Sequence, residues 1–472
     1  MSSPPELKRG IGFRDLVLFY IVVSLSVRWT AMAAAAGPSI LVIWIAALAG
    51  FFIPLAACVM ELSSRHPQEG GLYVWTREAF GDFSGFIAAW AYWMSNLPFL
   101  PGVLYFGAAS ALFALGPRGQ RLAANPLYYI AFAVLSLAII ILLNIRDVDA
   151  GKWLNNIGSL GTFLPLGALL LLAGASYLRF GAATHFTAAS LLPHWTLNNA
   201  TFWSSVFFAF VGVEAGSAMG DEIENPRRII PLALLAGGAV LAFGYIAGTA
   251  SLLVALPSQA VGGPDGFMAG IQMLSARLGL GWLLAPLALL VALNAVGGAA
   301  ANLSSTSRLP FVAGIDRYLP AAFGRIHPRF RTPWIAIGIY GLAATVVALL
   351  GQAGTTVRGA YDVLIGMSVL STFLPFVFLF AAMIRLQSRP VGPAVRRVPG
   401  GRPVAIALAS IGFLSCGVTI VLSVIPGGDE TNKPMAVAKI LGGTLVLVGA
   451  GVAVFLGSRL RAREIQASGA LR

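Results

Sequence analysis

Charge is scarce in this chain. Only 10% of its 472 residues are Asp, Glu, Lys or Arg, while 58% are hydrophobic; a soluble domain is nearer a quarter charged. So few charges cannot clothe a water-facing surface, which excludes a large soluble enzyme and a disordered chain. Cysteine is scarcer still. Cys58 and Cys416 both fall in apolar runs, which excludes a disulfide-built secreted scaffold and leaves the redox compartment open. The sequence also lacks a phosphate-cradling Walker loop, a His-Glu-x-x-His zinc motif and a Gly-x-Ser-x-Gly elbow. His66, His185, His194 and His327 lie in loops without ligand spacing, so neither a metal site nor a bound cofactor is expected. Acidic residues are outnumbered, 18 to 31, giving a net charge of +13. The basic residues form no stripe interleaved with aromatics, which sets nucleic acid aside as a partner.

What the chain does have is apolar runs long enough to cross a bilayer, recurring from end to end. About twelve are legible, at 15–36, 39–60, 83–112, 126–145, 153–178, 199–219, 229–256, 281–307, 333–351, 359–384, 404–425 and 436–458. The runs are continuous and show no ten-residue alternation, which excludes a membrane barrel. With the N-terminus placed in the cytoplasm, 23 of the 31 Lys and Arg fall inside and seven outside, leaving Arg28 within a span. That asymmetry predicts a multi-pass protein of the cytoplasmic (inner) membrane, surrounded by lipid, with both termini cytoplasmic. The first span follows Lys8, Arg9 and Arg14 and ends near Ala31-Met32-Ala33, as a signal peptide does. Arg28 and Trp29 interrupt its apolar core, so it is read as a retained span.

An internal repeat is also visible. Residues 73–96 run from an amphipathic stretch through Gly81 into an apolar run ending at Asn96, and residues 271–294 do the same through Gly279 to Asn294. Both glycines and both asparagines are 198 positions apart, on opposite predicted sides of the membrane. This predicts 15–178 as a first repeat, 199–384 as its inverted copy and 404–458 as two additional helices. The cytoplasmic tails are 1–14 and 459–472.

Chemistry concentrates in two spans. Glu214 is the only carboxylate well inside any span, flanked by Gly212 and Gly216. A buried acid at that depth normally faces a cavity, and glycines weaken the helix around it. A helix broken there would free backbone groups for a polar ligand. Its exit carries Asp221, Glu222 and Glu224 beside Arg227 and Arg228, read as a solvated cytoplasmic cluster or gate. In span 1, Ser24, Ser26 and Thr30 offer oxygens, and Arg28 can pair with Glu214, bind a ligand carboxylate or snorkel. Side-chain selectivity is assigned to spans 3, 8 and 10, with Asn96 and Asn294 as candidates.

Three blocks carry a family resemblance. They are Phe208-Ala209-Phe210-Val211-Gly212-Val213-Glu214 with Glu222-Ile223-Glu224-Asn225-Pro226-Arg227-Arg228; Glu61-Leu62-Ser63-Ser64-Arg65-His66-Pro67 running on to Gly81; and Ser307-Arg308-Leu309-Pro310 to Asp316-Arg317-Tyr318-Leu319-Pro320. As a set they resemble the amino acid–polyamine–organocation permeases, over essentially the whole chain. The resemblance implies an all-α fold of about twelve spans, with a five-plus-five inverted repeat in which spans 1 and 6 are discontinuous. It implies a secondary transporter that moves an amino acid or related amine by alternating access, by ion symport or exchange. Carried over residue by residue, the site comprises Ser24, Leu25 and Ser26 in span 1 and Phe208, Ala209, Phe210 and Val211 in span 6, with an aromatic lid there. Glu214 and Asn294 join this set, with Arg28 and Asn96 as weaker members. Most members have a Gly-rich turn where this chain has Ser24-Leu25-Ser26, so the carboxylate contact is not expected in the usual form. Ser304 and Ser305 would serve a sodium site, and Glu214 would serve proton coupling. The alternatives are a substrate sensor that keeps the fold without transport and an intramembrane enzyme. The enzyme should show two catalytic-type residues at depth, for which only Glu214 and Arg28 qualify.

Overall fold

The computed structural model describes residues 10–68, 70–146, 148–194, 196–262, 265–310, 318–352, 357–393, 395–425 and 433–469. Glu69, Asp316, Arg317 and the extreme tails of the sequence reading lie outside them. Every regular element among the described residues is helical. Among the described residues ten helices are long and apolar enough to cross a membrane, and the shorter Trp334–Leu350 is apolar as well. Span 6 supplies the twelfth position in two pieces, Leu197–Ala209 and the 3-10 helix Ala215–Glu222. Exposed leucines such as Leu127, Leu171, Leu178, Leu414 and Leu445 belt the outside. That arrangement suits lipid, where apolar surface needs no burial and every backbone polar group must be bonded internally.

The pairing of helices shows the repeat. The two most extensive contacts are span 5 (Val148–Phe180) with span 8 (Leu284–Thr306), and span 3 (Asp82–Leu112) with span 10 (Val357–Leu386). Adding five to each number exchanges these pairs. Span 4 (Pro126–Arg146) packs on span 9 (Trp334–Gln352), a pair that the same operation maps onto itself. Spans 3 and 8 are each preceded by an amphipathic helix, Leu72–Phe80 and Gly266–Arg277. These end at Gly81 and Gly279, with φ of 88° and 72°, the left-handed conformation that a residue without Cβ adopts without strain. Spans 11 and 12 (Gly401–Ser423 and Lys433–Gly469) are added against span 10.

Local sequence explains two interruptions. Span 2 runs from Ile40 to Arg65 and holds a π-turn at Leu48–Phe52 just before Pro54. Proline has no N–H for the carbonyl four residues back, and the Ser415 hydroxyl of span 11 donates to that Gly50 oxygen at 2.7 Å. Span 1 is divided into Phe13–Ser24 and Val27–Ala35. Leu25 (φ −79°, ψ 97°) and Ser26 (φ −113°, ψ 121°) are extended between the halves. Extended backbone suits any L-residue, so this break forms without the Gly-rich turn of the resembled family.

Candidate functional site

Two broken helices meet where the fold puts spans 1 and 6 side by side. In span 6 the helix stops at Ala209, and Gly212 adopts φ 118° before the 3-10 turns begin. A side chain there would be strained and would place its Cβ 2.6 Å from Ser24 Oγ and 3.0 Å from Val23 Cγ1. Gly212→Ala is therefore expected to cost about 2–3 kcal/mol and to lower the melting temperature of the purified protein. Gly174→Ala, whose added methyl meets nothing within 4 Å, serves as the neutral control.

The backbone groups that the breaks release are held by a tyrosine that the sequence reading missed. Tyr245 of span 7 (Pro226–Ala255) shares its hydroxyl proton between the carbonyl oxygens of Ser24 and Ala209, the latter at 3.0 Å. It also accepts the Ser26 N–H at 3.2 Å. One phenol thus joins both breaks. Its ring stacks on Trp44 at 4.6 Å and meets Phe210 edge-on at 5.7 Å. The only signal for it in sequence is a hydroxyl inside an apolar span, which also marks ordinary packing.

Beside the breaks lies a cavity of about 40 Å³. This is space for a small polar group rather than for a whole drug-sized ligand, which typically occupies roughly 300–1,000 Å³. Of the sequence-predicted residues, Ser24, Ser26, Arg28, Asn96, Phe208, Ala209, Val211 and Asn294 line it. Asn96 and Asn294, equivalent positions of the two repeats, both reach it. Tyr92, Phe99, Asn302 and Thr372 line it as well and were not singled out from the sequence. Phe208 meets Trp29 edge-on at 5.6 Å and Phe99 at 5.9 Å, so three rings close one wall. Asn302 donates to Asn96 Oδ1 at 2.8 Å, and Asn294 donates to Thr162 Oγ1 at 2.6 Å.

Three expected residues sit elsewhere. Leu25 is fully buried and packs toward Gly244 of span 7. Phe210 is buried among Trp44, Phe52 and Tyr245. Glu214 is 3% exposed and turns to the protein, not to the cavity. One of its oxygens accepts the Tyr92 hydroxyl at 2.5 Å and the other the Gly212 N–H at 2.9 Å. The carboxylate thereby ties the span 6 break to span 3, and no ion pair joins it to Arg28. Ser304 and Ser305 also lie outside the cavity lining. The carbonyl oxygen and hydroxyl of Ser304 accept hydrogen bonds from Arg308, and Ser305 donates to the Asn302 carbonyl at 3.1 Å.

The acidic exit of span 6 is not wholly solvated. Asp221 and Glu224 are exposed, but Glu222 is 2% exposed and receives Arg308 at 2.8 and 3.2 Å. Its carbonyl accepts the N–H groups of Gly10 and Ile11 at 3.0 and 3.1 Å, and Glu224 N–H returns to Ile11 at 3.0 Å. The segment before span 1 is thus strapped to span 6, and span 6 is clamped to span 8. The first cytoplasmic block has its own buried node. Glu61 receives Arg65 at 2.5 Å, Gln387 at 2.7 Å and the Val398 N–H at 2.8 Å, tying span 2 to the connection between spans 10 and 11.

Comparison with known proteins decides the family. The model of the amino acid permease family matches residues 11–447. The chain belongs to that family. An uncharacterized transporter of Legionella pneumophila is 26% identical over 93% of this permease and 95% of its own length. A probable agmatine/putrescine antiporter of Lactococcus lactis is 25% identical over 97% and 96%. A serine/threonine exchanger of Bacillus subtilis is 25% identical over 71% and 72%. The permease is accordingly an integral multi-pass membrane protein of a transporter family, and its broken spans 1 and 6 face the cavity together with spans 3, 8 and 10.

Proposed function

We propose that this permease is a secondary transporter that carries an amino acid or related amine across the cytoplasmic membrane by alternating access, with both termini in the cytoplasm. The single observation that carries this reading is the junction of the two broken helices at one cavity, bridged by Tyr245. Irregular backbone at that depth is tolerated only where protein or a cavity surrounds it, and it presents peptide dipoles to a small polar ligand. The named relatives supply the candidate classes, an amine pair on one side and serine or threonine on the other.

Ion symport and exchange are both compatible with the fold. Sodium held by Ser304 and Ser305 is the coupling that the geometry favours least, because a cation at Ser304 would lie against the Arg308 guanidinium. Proton coupling through Glu214 rests on its bridge between Tyr92 and the Gly212 N–H. Protonation would remove the charge that both donors hold, and would loosen span 6 from span 3.

Uptake of radiolabelled amino acids and amines into proteoliposomes tests the reading, with counterflow as the second arm. Binding without accumulation or counterflow would leave a sensor, and chemical conversion of the ligand an enzyme. Glu214→Gln is expected to insert and express normally and to transport about tenfold more slowly or worse, since one charge-assisted bond is worth roughly 1.5–3 kcal/mol. Normal transport by this variant across pH 5–8 would assign Glu214 to structure alone.

A further inference from the structure

Arg28 follows Val27 at the start of the second half of span 1, just beyond the break, and lines the cavity. It is 3% exposed, so it does not snorkel to water. The guanidinium carbon lies 4.2 Å from the Trp29 ring centre and 5.1 Å from that of Phe99. The hydroxyls of Tyr361 and Tyr245 are its polar neighbours. Among the described residues no carboxylate pairs with it, and Nε, Nη1 and Nη2 form no hydrogen bond of ordinary geometry with them. Aromatic faces and phenols ease a buried cation but do not neutralise it. A guanidinium kept in hydrocarbon at this expense marks a function by default.

The surroundings indicate which one. Among the described residues no Asp or Glu lines the cavity, and Glu214, close in sequence to the lining Gly212, is turned away to Tyr92 and the Gly212 N–H. The N–H groups of the span 1 break are already engaged, Leu25 with the Ile21 carbonyl and Ser26 with Tyr245. They leave the side chain of Arg28 as the strong donor facing the space. Acceptors are present too. Ser24 Oγ and Asn302 Oδ1 line the same cavity and are buried without a partner among the described residues.

We infer that Arg28 is the carboxylate anchor of this cavity, so that the ligand must carry a carboxylate and an amine lacking one is rejected. A planar carboxylate accepts two parallel N–H bonds from the guanidinium fork, which a single ammonium group cannot do. A diamine would instead bring positive charge against an uncompensated cation in a low-dielectric space. The ammonium of an amino acid finds its acceptors at Ser24 and Asn302. This assignment rests on the transporter reading for its biological meaning but is tested by binding alone.

The experiment uses the detergent-purified full chain in a thermal-shift screen of amino acids matched with their decarboxylated amines. The pairs are serine with ethanolamine, arginine with agmatine, and ornithine with putrescine. At least one amino acid is expected to raise the melting temperature while its amine partner at equal concentration does not. For that amino acid, Arg28→Gln is expected to weaken binding about 30-fold or more, and Arg28→Lys less, as loss of a buried charge-assisted pair entails. The ligand-free melting temperature of Arg28→Gln should equal or exceed that of the wild type, because a buried uncompensated charge is removed; an arginine that merely held the fold would lower it. An amine that stabilises the wild type as well as its amino acid would overturn the inference. So would undiminished amino acid binding by Arg28→Gln, or a panel in which no ligand binds. Carboxylate-dependent binding without any proteoliposome counterflow would leave the anchor standing and remove the transporter reading instead.

Discussion

Glu222→Gln should destabilise the permease by about 3–5 kcal/mol, because it breaks the buried pair in which both carboxylate oxygens accept from Arg308. The pair is formed by side chains only 4% and 2% exposed, with the guanidinium bonded to both carboxylate oxygens. Amide for carboxylate keeps the shape and removes the charge, so packing is not at issue. The chain has two ways to relieve the broken pair: it can unfold, or it can open this end of the bundle and let water reach Arg308. Opening would also release the strap of Gly10 and Ile11 on Glu222. Hydrogen exchange of residues 215–224 separates these outcomes, since opening speeds exchange there while span 5 stays protected. The double variant Glu222→Leu with Arg308→Leu should recover most of the lost stability, because both members of the buried pair are replaced by apolar side chains. If Glu222→Gln alone melts like the wild type with unchanged exchange, the pair clamps nothing.

Tyr245→Phe is the second large effect expected. Phenylalanine keeps the stack on Trp44 and the edge contact with Phe210, so only the hydroxyl is lost. That hydroxyl serves the carbonyls of Ser24 and Ala209 and the N–H of Ser26. A buried polar backbone group left without a partner costs about 1–3 kcal/mol. With three groups affected and partial rescue by rearrangement, a loss of about 2–4 kcal/mol is expected, read as a lower melting temperature. Transport should fall further than stability suggests, because the bond network couples the movements of spans 1 and 6. A Tyr245→Phe protein with normal transport and normal melting would mean that the two breaks are held by the rest of their packing.

Lipid is the reason so much of this architecture could be read from residues in order. A bilayer leaves the backbone few solutions, and each apolar run must close its own hydrogen bonds as a helix. The runs therefore gave span positions close to those observed, with differences where polar ends continue a helix, as in span 2 to Arg65. Gly81 and Gly279 marked the repeat because only a residue without Cβ sits comfortably at their φ of 88° and 72°. Gly212 marked the break in span 6 for the same reason. The break in span 1 carries no such mark, since Leu25 and Ser26 are merely extended.

Side-chain partners were decided in three dimensions. From sequence alone Arg28 had three open fates, and the choice depended on which way Glu214 turned. The fold aims Glu214 at Tyr92, which is 122 residues distant, and so strips Arg28 of the acid that would have neutralised it. Glu222 looked like one of a solvated acidic group until span 8 brought Arg308 against it. Tyr245 looked like any aromatic in an apolar span until spans 1 and 6 set three backbone groups around its hydroxyl. Hydropathy is a property of a stretch of chain and survives in the order of residues. Pairing between charges and hydrogen-bonding groups belongs to positions far apart in the chain, 86 residues for Glu222 and Arg308 and 221 for Tyr245 and Ser24, and only packing brings those together.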